Sequence, residues 1–307
     1  MARETTARLL PALALAAGLA LIAGCAGADP QTDISAPAAE PSESAGGATG
    51  SLVDAREPWM SEPDGLHGVW LIEEAAGEEA GATLTIGADE MQLERECGSL
   101  TASWDAALNQ LVSHRSHAGG ACAQSLLDDP IDWLDVAEGY LADDLYGVPT
   151  AEARIDPDER VEAWRLLDRG GLSVALLTRQ GEPAHAEPDA RESDPAPLPE
   201  GLAPALGGDL IGEWVPEGAG ESGSELRIDG DRRFTSSDGC NGAAGSVASL
   251  RGGRLLVAAG PVTLVACEGV SAGAALSTAG RAGLDPATDE LVLVDPEGTE
   301  TLRLTRA

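Results

Sequence analysis

The chain has 307 residues, of which 43% are hydrophobic, and it carries 52 acidic against 19 basic side chains, for a formal net charge of −33. This length and composition allow one to three domains with hydrophobic cores. The charge argues against a nucleic-acid partner and against unassisted docking on anionic lipid, because like charges repel.

The N-terminal segment has the pattern of an export signal. Arg3 and Arg8 lead into an apolar run over residues 9–22, which is too short to span a bilayer. The run ends in Leu21-Ile22-Ala23-Gly24-Cys25, which resembles the lipobox of bacterial lipoproteins. That resemblance implies a signal peptide over 1–24, lipidation of Cys25 and a location on the extracytoplasmic face of the cell membrane. The alternative is an ordinary signal peptide with an incidental cysteine.

Two segments have the composition of linkers. Residues 25–63 are rich in Ala, Ser, Gly, Pro, Asp and Glu, and such a segment buries too little apolar surface to fold, which predicts a disordered stalk. Residues 181–205 have a similar Pro- and Glu-rich composition, which predicts an interdomain linker. The remaining chain divides into two patterned regions, 64–180 and 206–307.

The two patterned regions share a series of landmarks. The spacing from an early tryptophan to the first cysteine is 27 residues in one region and 26 in the other, and the two cysteines are 25 and 27 residues apart. The landmarks are Trp70, Cys97, Cys122, Asp168 and Arg179 in the first region, and Trp214, Cys240, Cys267, Asp295 and Arg306 in the second. Landmarks in register indicate a tandem duplication, with extra residues in the first copy after its second cysteine.

Each copy is expected to be mostly antiparallel β, in an α+β fold with one helix. Short alternating segments separated by Gly- and Asp-rich turns predict the strands. In the second copy the predicted strands are 224–228, 232–236, 246–250, 254–258, 262–266, 290–294 and 299–305, and the helix is 271–284. The first copy is predicted to have a helix over 130–143. Trp70 and Trp214 are expected in the two cores rather than at a ligand.

The five cysteines divide into one lipid anchor and two pairs. An exported chain reaches a compartment where disulfides form, and the repeat favours Cys97 with Cys122 and Cys240 with Cys267. Four cysteines allow three connectivities, and buried free thiols are the other alternative.

The second copy also carries two cysteine-containing motifs. The residues are Trp214, Gly239, Cys240, Asn241, Gly245, Gly260, Pro261, Thr263, Ala266 and Cys267. This set resembles the META domain, also called the HslJ-like domain, of bacterial envelope lipoproteins and heat-shock proteins, although Val265 replaces the usual Met. The resemblance covers about residues 206–307. It implies a small β-rich α+β fold and an association with envelope stress or secretion, and it implies no catalytic residues.

The first copy is a degenerate relative of the second. Cys97 is followed by Gly98-Ser99, so the asparagine of the motif is missing, and Ala121-Cys122 keeps only the end of the second motif. A role that depends on the Cys-Asn pair is therefore expected only in the second copy. There Asn241 is expected to bond local backbone.

Candidate catalytic groups are few. The histidines are His67, His114, His117 and His185. His114 and His117 have a spacing that could bind a metal, but on a strand their side chains would lie on opposite faces, and no third ligand is near. The second copy has no histidine to act as a base, and the chain has no Gly-x-Ser-x-Gly motif. We expect no enzyme activity, no cofactor and no metal.

Two classes of function remain. The first is a non-catalytic, membrane-tethered module that binds an envelope component or serves a stress response, and in which two linked sites raise the effective concentration. The second is an acidic inhibitor or sequestrant of cationic proteins or peptides, such as lysozyme-like enzymes. Binding that collapses at high ionic strength would indicate the second class.

Overall fold

The computed structural model describes residues 63–142, 161–181, 194–220, 222–263, 265–266 and 269–307. The segments predicted as a signal peptide and as a stalk, with Cys25, lie outside the described residues as far as residue 62, as do residues 182–193. The predicted class is confirmed: the fold is α+β and mostly antiparallel β. Both patterned regions belong to one compact body of the chain.

The first region forms a closed barrel of eight antiparallel strands, each paired with the next in the chain and the last with the first. A 3-10 turn over Pro63–Leu66 precedes it. The strands are β1 Gly68–Glu73, β2 Thr83–Ile86, β3 Glu90–Arg95, β4 Gly98–Ala107, β5 Gln110–Gly120, β6 Gly139–Ala142, β7 Ala163–Leu167 and β8 Ser173–Gly181, and between β5 and β6 lie the helices α1 Ala123–Asp128 and α2 Asp132–Asp135.

The second region forms a nine-stranded sheet with two 3-10 turns, Gly207–Asp209 and Arg251–Gly253. Its elements are β9 Ala203–Pro204, β10 Gly212–Pro216, β11 Glu225–Ile228, β12 Arg233–Ser237, β13 Gly242–Ser249, β14 Leu255–Ala259, α3 Ala272–Thr278, β15 Arg281–Asp285, β16 Glu290–Val294 and β17 Glu300–Arg306. The strand order is β14-β13-β12-β11-β10-β17-β16-β15-β9.

The two regions share one order of strands from β1–β8 to β10–β17. In the first, β5 and β6 meet at the single pair Gln110–Gly139. In the second, β14 and β15 meet at a single bridge between Arg254 and Arg281, so that sheet is nearly closed at the equivalent place. The additional strand β9 lies outside this shared order, on the far side of β15.

Each region has its own core. One buried cluster is built around Trp70, Trp133 and Trp164 of the first region, and a separate one around Trp214 and Phe234 of the second. A third, smaller cluster joins the two regions, where β4 and β5 contact β13 and β14. Its members are Ala107, Val112, Ala248, Leu250, Leu256 and Ala258. The two regions therefore have separate cores and are in contact with each other. We call them the first unit and the second unit.

Both predicted helices are too long. The helix predicted over 271–284 ends at Thr278, and β15 takes Arg281–Asp285. The one predicted over 130–143 is reduced to α2, and β6 takes Gly139–Ala142. In both places the second half of the window pairs with a neighbouring strand, and these tertiary hydrogen bonds outweigh the local helix preference.

Two further segments differ from the prediction. No strand forms at 261–263 or 265–266, where Pro261 lacks a backbone N–H and side chains supply the bonds. The range predicted as a linker contains residues that pack on the second unit: Pro195 and Ala196 accept hydrogen bonds from Arg281, and Ala203 pairs with β15. The end of that range, 194–205, is therefore part of the second unit.

Candidate functional site

The two early tryptophans have matching environments. Trp70 and Trp214 are fully buried, which confirms their prediction as core residues. The Trp70 Nε1–H donates to the carbonyl of Leu66 at 2.7 Å, and that of Trp214 donates to the carbonyl of Leu210 at 2.8 Å. Each ring therefore anchors the turn that lies four residues before it.

The cysteines of the first unit are joined. Cys97 and Cys122 are bonded with a Cα–Cα distance of 5.5 Å, and the Cys97 carbonyl accepts the N–H of Ala121 at 2.8 Å. The bond ties the β3–β4 turn to the start of α1. In the second unit Cys240 is disulfide-bonded, and its predicted partner Cys267 lies outside the described residues.

The first motif of the second unit forms a turn organised by Asp238. Its Oδ1 accepts the backbone N–H groups of Cys240 at 2.8 Å and Asn241 at 2.6 Å, and its Oδ2 accepts the Asn241 amide at 2.9 Å. These hydrogen bonds, from the Asn241 side chain first, hold the pKa of Asp238 below its ordinary value. Gly239 has a φ of +92°, and a Cβ there would lie 2.0 Å from the Ser222 carbonyl oxygen, so only glycine fits.

Asn241 connects this turn to the second motif. Its Nδ2 donates to the Val265 carbonyl at 2.8 Å, and its Oδ1 accepts the Val265 N–H at 2.6 Å. One side-chain amide thus satisfies both backbone groups of Val265, as a neighbouring strand would. Beside it, Thr263 Oγ1 accepts the Gly242 N–H at 3.1 Å. We call this arrangement the Asn241 clamp, and its residues are Asp238, Asn241, Gly242, Thr263 and Val265.

The remaining motif glycines permit close packing of backbone. A Cβ on Gly245 would lie 2.4 Å from both the Ala258 carbonyl oxygen and the ring of Phe234. On Gly260 a Cβ would lie 2.6 Å from the imidazole of His114, in the other unit. The motif residues Trp214, Gly239, Asn241, Gly245 and Thr263 therefore all contribute to the packing or hydrogen bonding of the second unit.

The clamp displays apolar side chains. Val265 is 61% exposed and Val262 is 44% exposed, although the backbone of Val265 is held at both its N–H and its carbonyl. An apolar side chain that is fixed in position and exposed to water costs little ordering entropy when a partner covers it. The sequence reasoning placed Val265 in the motif but missed Asp238, whose signal was the Ser-Asp-Gly turn chemistry just before Cys240.

The described part of the chain has no cluster of metal-binding side chains. Within it, three or more His, Cys, Asp or Glu side chains nowhere come together in a way that could hold a metal ion. His114 and His117 both lie on β5, where His117 is exposed and His114 lies against the second unit. None of the helices in the same residues has the length and apolar character needed to cross a membrane.

Comparisons with known proteins add one likeness. No family model matches the chain, and no curated protein matches it. Among solved structures, the NMR structure of a protein from Burkholderia xenovorans is 24% identical over 41% of this chain and 98% of that chain, with a TM-score of 0.28. The function is therefore argued from the residues of the site.

Proposed function

We propose that this chain is a non-catalytic binding module that is tethered to the extracytoplasmic face of the cell membrane. In this proposal Cys25 carries the lipid anchor, residues 26–62 form the stalk, and the second of two META-like units holds an envelope protein. The binding surface is the Asn241 clamp together with the exposed side chains of Val262 and Val265.

The observation that carries the proposal is the way Val265 is held. Its backbone N–H and carbonyl are both bonded to the Asn241 amide, at 2.6 and 2.8 Å, while its side chain is 61% exposed. Leu172 is also exposed and bonded at both backbone groups, to Asp168, but the loop of Val265 exposes a second apolar side chain, Val262. An exposed apolar side chain favours binding in proportion to the apolar area that a partner removes from water.

The first unit does not have the residues that form this surface. It has the same strand order and a bonded cysteine pair, but Cys97 is followed by Gly98-Ser99 where the clamp has Asn241. It therefore lacks the amide that holds the loop of the second unit. We assign partner binding to the second unit and a spacing role to the first.

The tether and the compartment rest on the sequence and on the cysteines. Disulfides persist outside the reducing cytosol, and bonded Cys97 and Cys122 are consistent with an exported chain. Lipidation at Cys25 with two or more acyl chains would give a stable anchor, whereas a single chain would not.

A capture experiment with paired variants tests the proposal. Both units begin after residue 62, so a soluble chain of residues 26–307 retains them. It is immobilised as wild type, as Val265→Asp and as Leu172→Asp, and exposed to envelope extract. Leu172, at 69% exposed, is the matched control on a turn of the first unit. We expect one protein that is retained by wild type and Leu172→Asp and lost with Val265→Asp. Identical retention by all three chains would contradict the proposal.

The charge of the chain favours one second candidate. A net charge of −33 would attract a cationic protein, and such long-range attraction is screened by salt. The sequestrant hypothesis therefore predicts that hen lysozyme, used as a basic probe, binds at low ionic strength and dissociates at high ionic strength. If the chain does not bind lysozyme even at low salt, the sequestrant hypothesis is excluded. The clamp proposal is not affected by that result.

A further inference from the structure

A cavity of about 200 Å³ lies where the two units meet. From the first unit it is lined by β5, around Ser113 and His114, and by the approach to β6, around Glu138. From the second it is lined by the start of β12, around Arg232, and by Ser246 of β13. Ser246 also donates its hydroxyl to the Ser113 carbonyl at 2.7 Å, so the two walls are bonded to each other.

Two buried polar atoms at this cavity lack a hydrogen-bond partner. Across the described residues, the buried side-chain nitrogens and oxygens without one are His114 Nδ1 and Arg232 Nη1, and both residues line the cavity. Arg232 Nη1 lies 3.2 Å from Glu138 Oε2, which is an ion pair but not an aligned hydrogen bond. A buried donor without an acceptor costs free energy, so such atoms in one cavity point to an acceptor group supplied by a ligand.

Two of the three carboxylates that line the cavity, Glu138 and Asp135, are engaged by arginines. Arg169 donates to both oxygens of Glu138, at 2.9 to 3.1 Å, and Arg115 lies 3.3 Å from Asp135. Arg232 and Arg233 face the same cavity from the second unit. The cavity therefore has as many arginines as carboxylates in its lining, in a chain whose overall charge is strongly negative.

The arginines of the second unit are held in place by their own turn. Asp229 Oδ1 accepts the backbone N–H groups of Asp231 at 2.9 Å and Arg233 at 3.1 Å. Arg232, between them, has a φ of +61°, a conformation that an L-residue adopts only where its surroundings fix it. The backbone that carries the two arginines is therefore fixed by this turn.

We propose that this cavity binds a small ligand through a carboxylate or phosphate group, with Arg232 and Arg233 as its cationic partners and His114 as a further hydrogen-bond partner. Arginine matches both groups, because its planar N–H fork donates to two oxygens at once. The volume is below the 300–1,000 Å³ or so of pockets for drug-sized ligands, so the ligand is a small one. Because both units supply the walls, the bound ligand would also join them.

The proposal predicts that binding depends on pH through His114. Burial first, and then the charges of Arg233 and Arg115, lower the pKa of His114, so its imidazole is neutral at neutral pH. An anion beside it would raise that pKa, and by linkage the anion binds more tightly as the pH falls. The charged groups that face His114 across the cavity are Arg115, Asp135, Glu138, Asp231, Arg232 and Arg233.

Calorimetric titration tests the proposal, with inorganic phosphate and malonate as probes and chloride keeping the ionic strength constant. The chain of residues 26–307 is titrated as wild type, Arg232→Gln, Arg233→Gln and Arg227→Gln. Arg227 is the matched control, since it is 66% exposed and pairs with Glu213 away from the cavity. We expect saturable binding of at least one probe to wild type and to Arg227→Gln. The loss of one charged hydrogen bond should weaken it about tenfold in Arg233→Gln.

Several results would overturn the proposal. One is the absence of saturable binding of both probes to the wild type, and another is equal affinity for wild type and Arg233→Gln. Arg232→Gln should bind less than wild type, and if that variant does not fold, Arg233→Gln decides, because Arg233 is exposed and its replacement should leave the fold intact. Binding of phosphate without malonate, or the reverse, supports the proposal and identifies the group. A wild-type affinity that falls as the pH is lowered, after correction for protonation of the probe itself, would contradict the assigned role of His114.

Discussion

The guanidinium of Arg306 lies over the indole of Trp214, 4.4 Å from the ring centroid, and that of Arg179 lies over Trp70 at 4.2 Å. In each unit the two residues are direct neighbours on the paired first and last strands. Each arginine also donates to two carbonyls of the turn before the first strand, those of Gly65 and His67 in one unit and of Asp209 and Ile211 in the other. The tryptophan and the arginine therefore close each unit at its chain ends.

Replacing these two arginines should destabilise the two units by different amounts. Arg179 is half-buried and Arg306 is exposed, and a cation–π contact is worth more when it is desolvated. We expect Arg179→Met to lower the free energy of unfolding by about 2 kcal/mol and Arg306→Met by about 1 kcal/mol. Urea unfolding curves measure both. Arg227→Met, on an exposed strand position, is the control and should change stability by less than about 0.5 kcal/mol.

Removing the clamp amide should release Val265 without unfolding the second unit. Asn241→Ala deletes two hydrogen bonds to the Val265 backbone and one to Asp238. We expect a loss of about 1–3 kcal/mol and a much faster hydrogen exchange at the Val265 amide, with the amides of β16 still protected. Unchanged protection of Val265 in this variant would show that the amide does not hold the loop.

The ion pair of Glu78 should make the first unit acid-sensitive. Burial by itself would raise the pKa of Glu78, but hydrogen bonds from Arg95 at 2.7 and 2.8 Å and from Trp133 at 2.7 Å outweigh it and hold the pKa below its ordinary value. The stabilisation is therefore full above the ordinary carboxyl pKa and disappears as the pH falls through the lowered one.

Glu78→Gln is the corresponding variant. At pH 7 it should lose about 3 kcal/mol, because it leaves Arg95 without its charged partner. The difference from wild type should shrink as the pH is lowered towards 3, measured by urea unfolding at each pH. A difference that stays constant across this range would rule out the ion pair as the source.

Opening the first disulfide should destabilise the first unit. Cys97 and Cys122 are 25 residues apart, and closing a loop of that size stabilises a fold by about 3 kcal/mol in the chain-entropy account. The double variant Cys97→Ser, Cys122→Ser should lower the unfolding midpoint accordingly. Adding a reductant to the double variant should then lower its stability further, by the contribution of the disulfide bond of Cys240. A double variant as stable as wild type would show that the bond adds nothing.

The sequence was informative where a short apolar segment stands between turn residues. The strand predicted at 290–294 is β16 without change, and both early tryptophans lie in the cores as expected. The alanine-rich window 271–284 was misleading, because its second half pairs with β16 through hydrogen bonds that local preference does not reveal. A similar limit applies to 262–266, where a side-chain amide takes the place of a strand.

The candidate sites were only partly readable from the sequence. The motif pointed to Asn241, but the prediction that its side chain bonds local backbone is wrong, because the backbone it bonds is that of Val265, 24 residues away in the folded loop. The cavity could not be predicted, because His114 and Arg232 come from different units and meet only when β5 packs against β13. Local patterns identify strands and turns, and the contact between two units depends on their surfaces as a whole.

Photocrosslinking in cells tests the binding surface most directly. A photoreactive amino acid is placed at Val265 or at Leu172 in the full chain, with Cys25 intact, and crosslinked products are resolved by mass spectrometry. The clamp account predicts a specific crosslinked protein from position 265 that is missing from position 172 and that disappears when Asn241 is changed to alanine. Crosslinks that are the same from both positions, or none from 265, would contradict it.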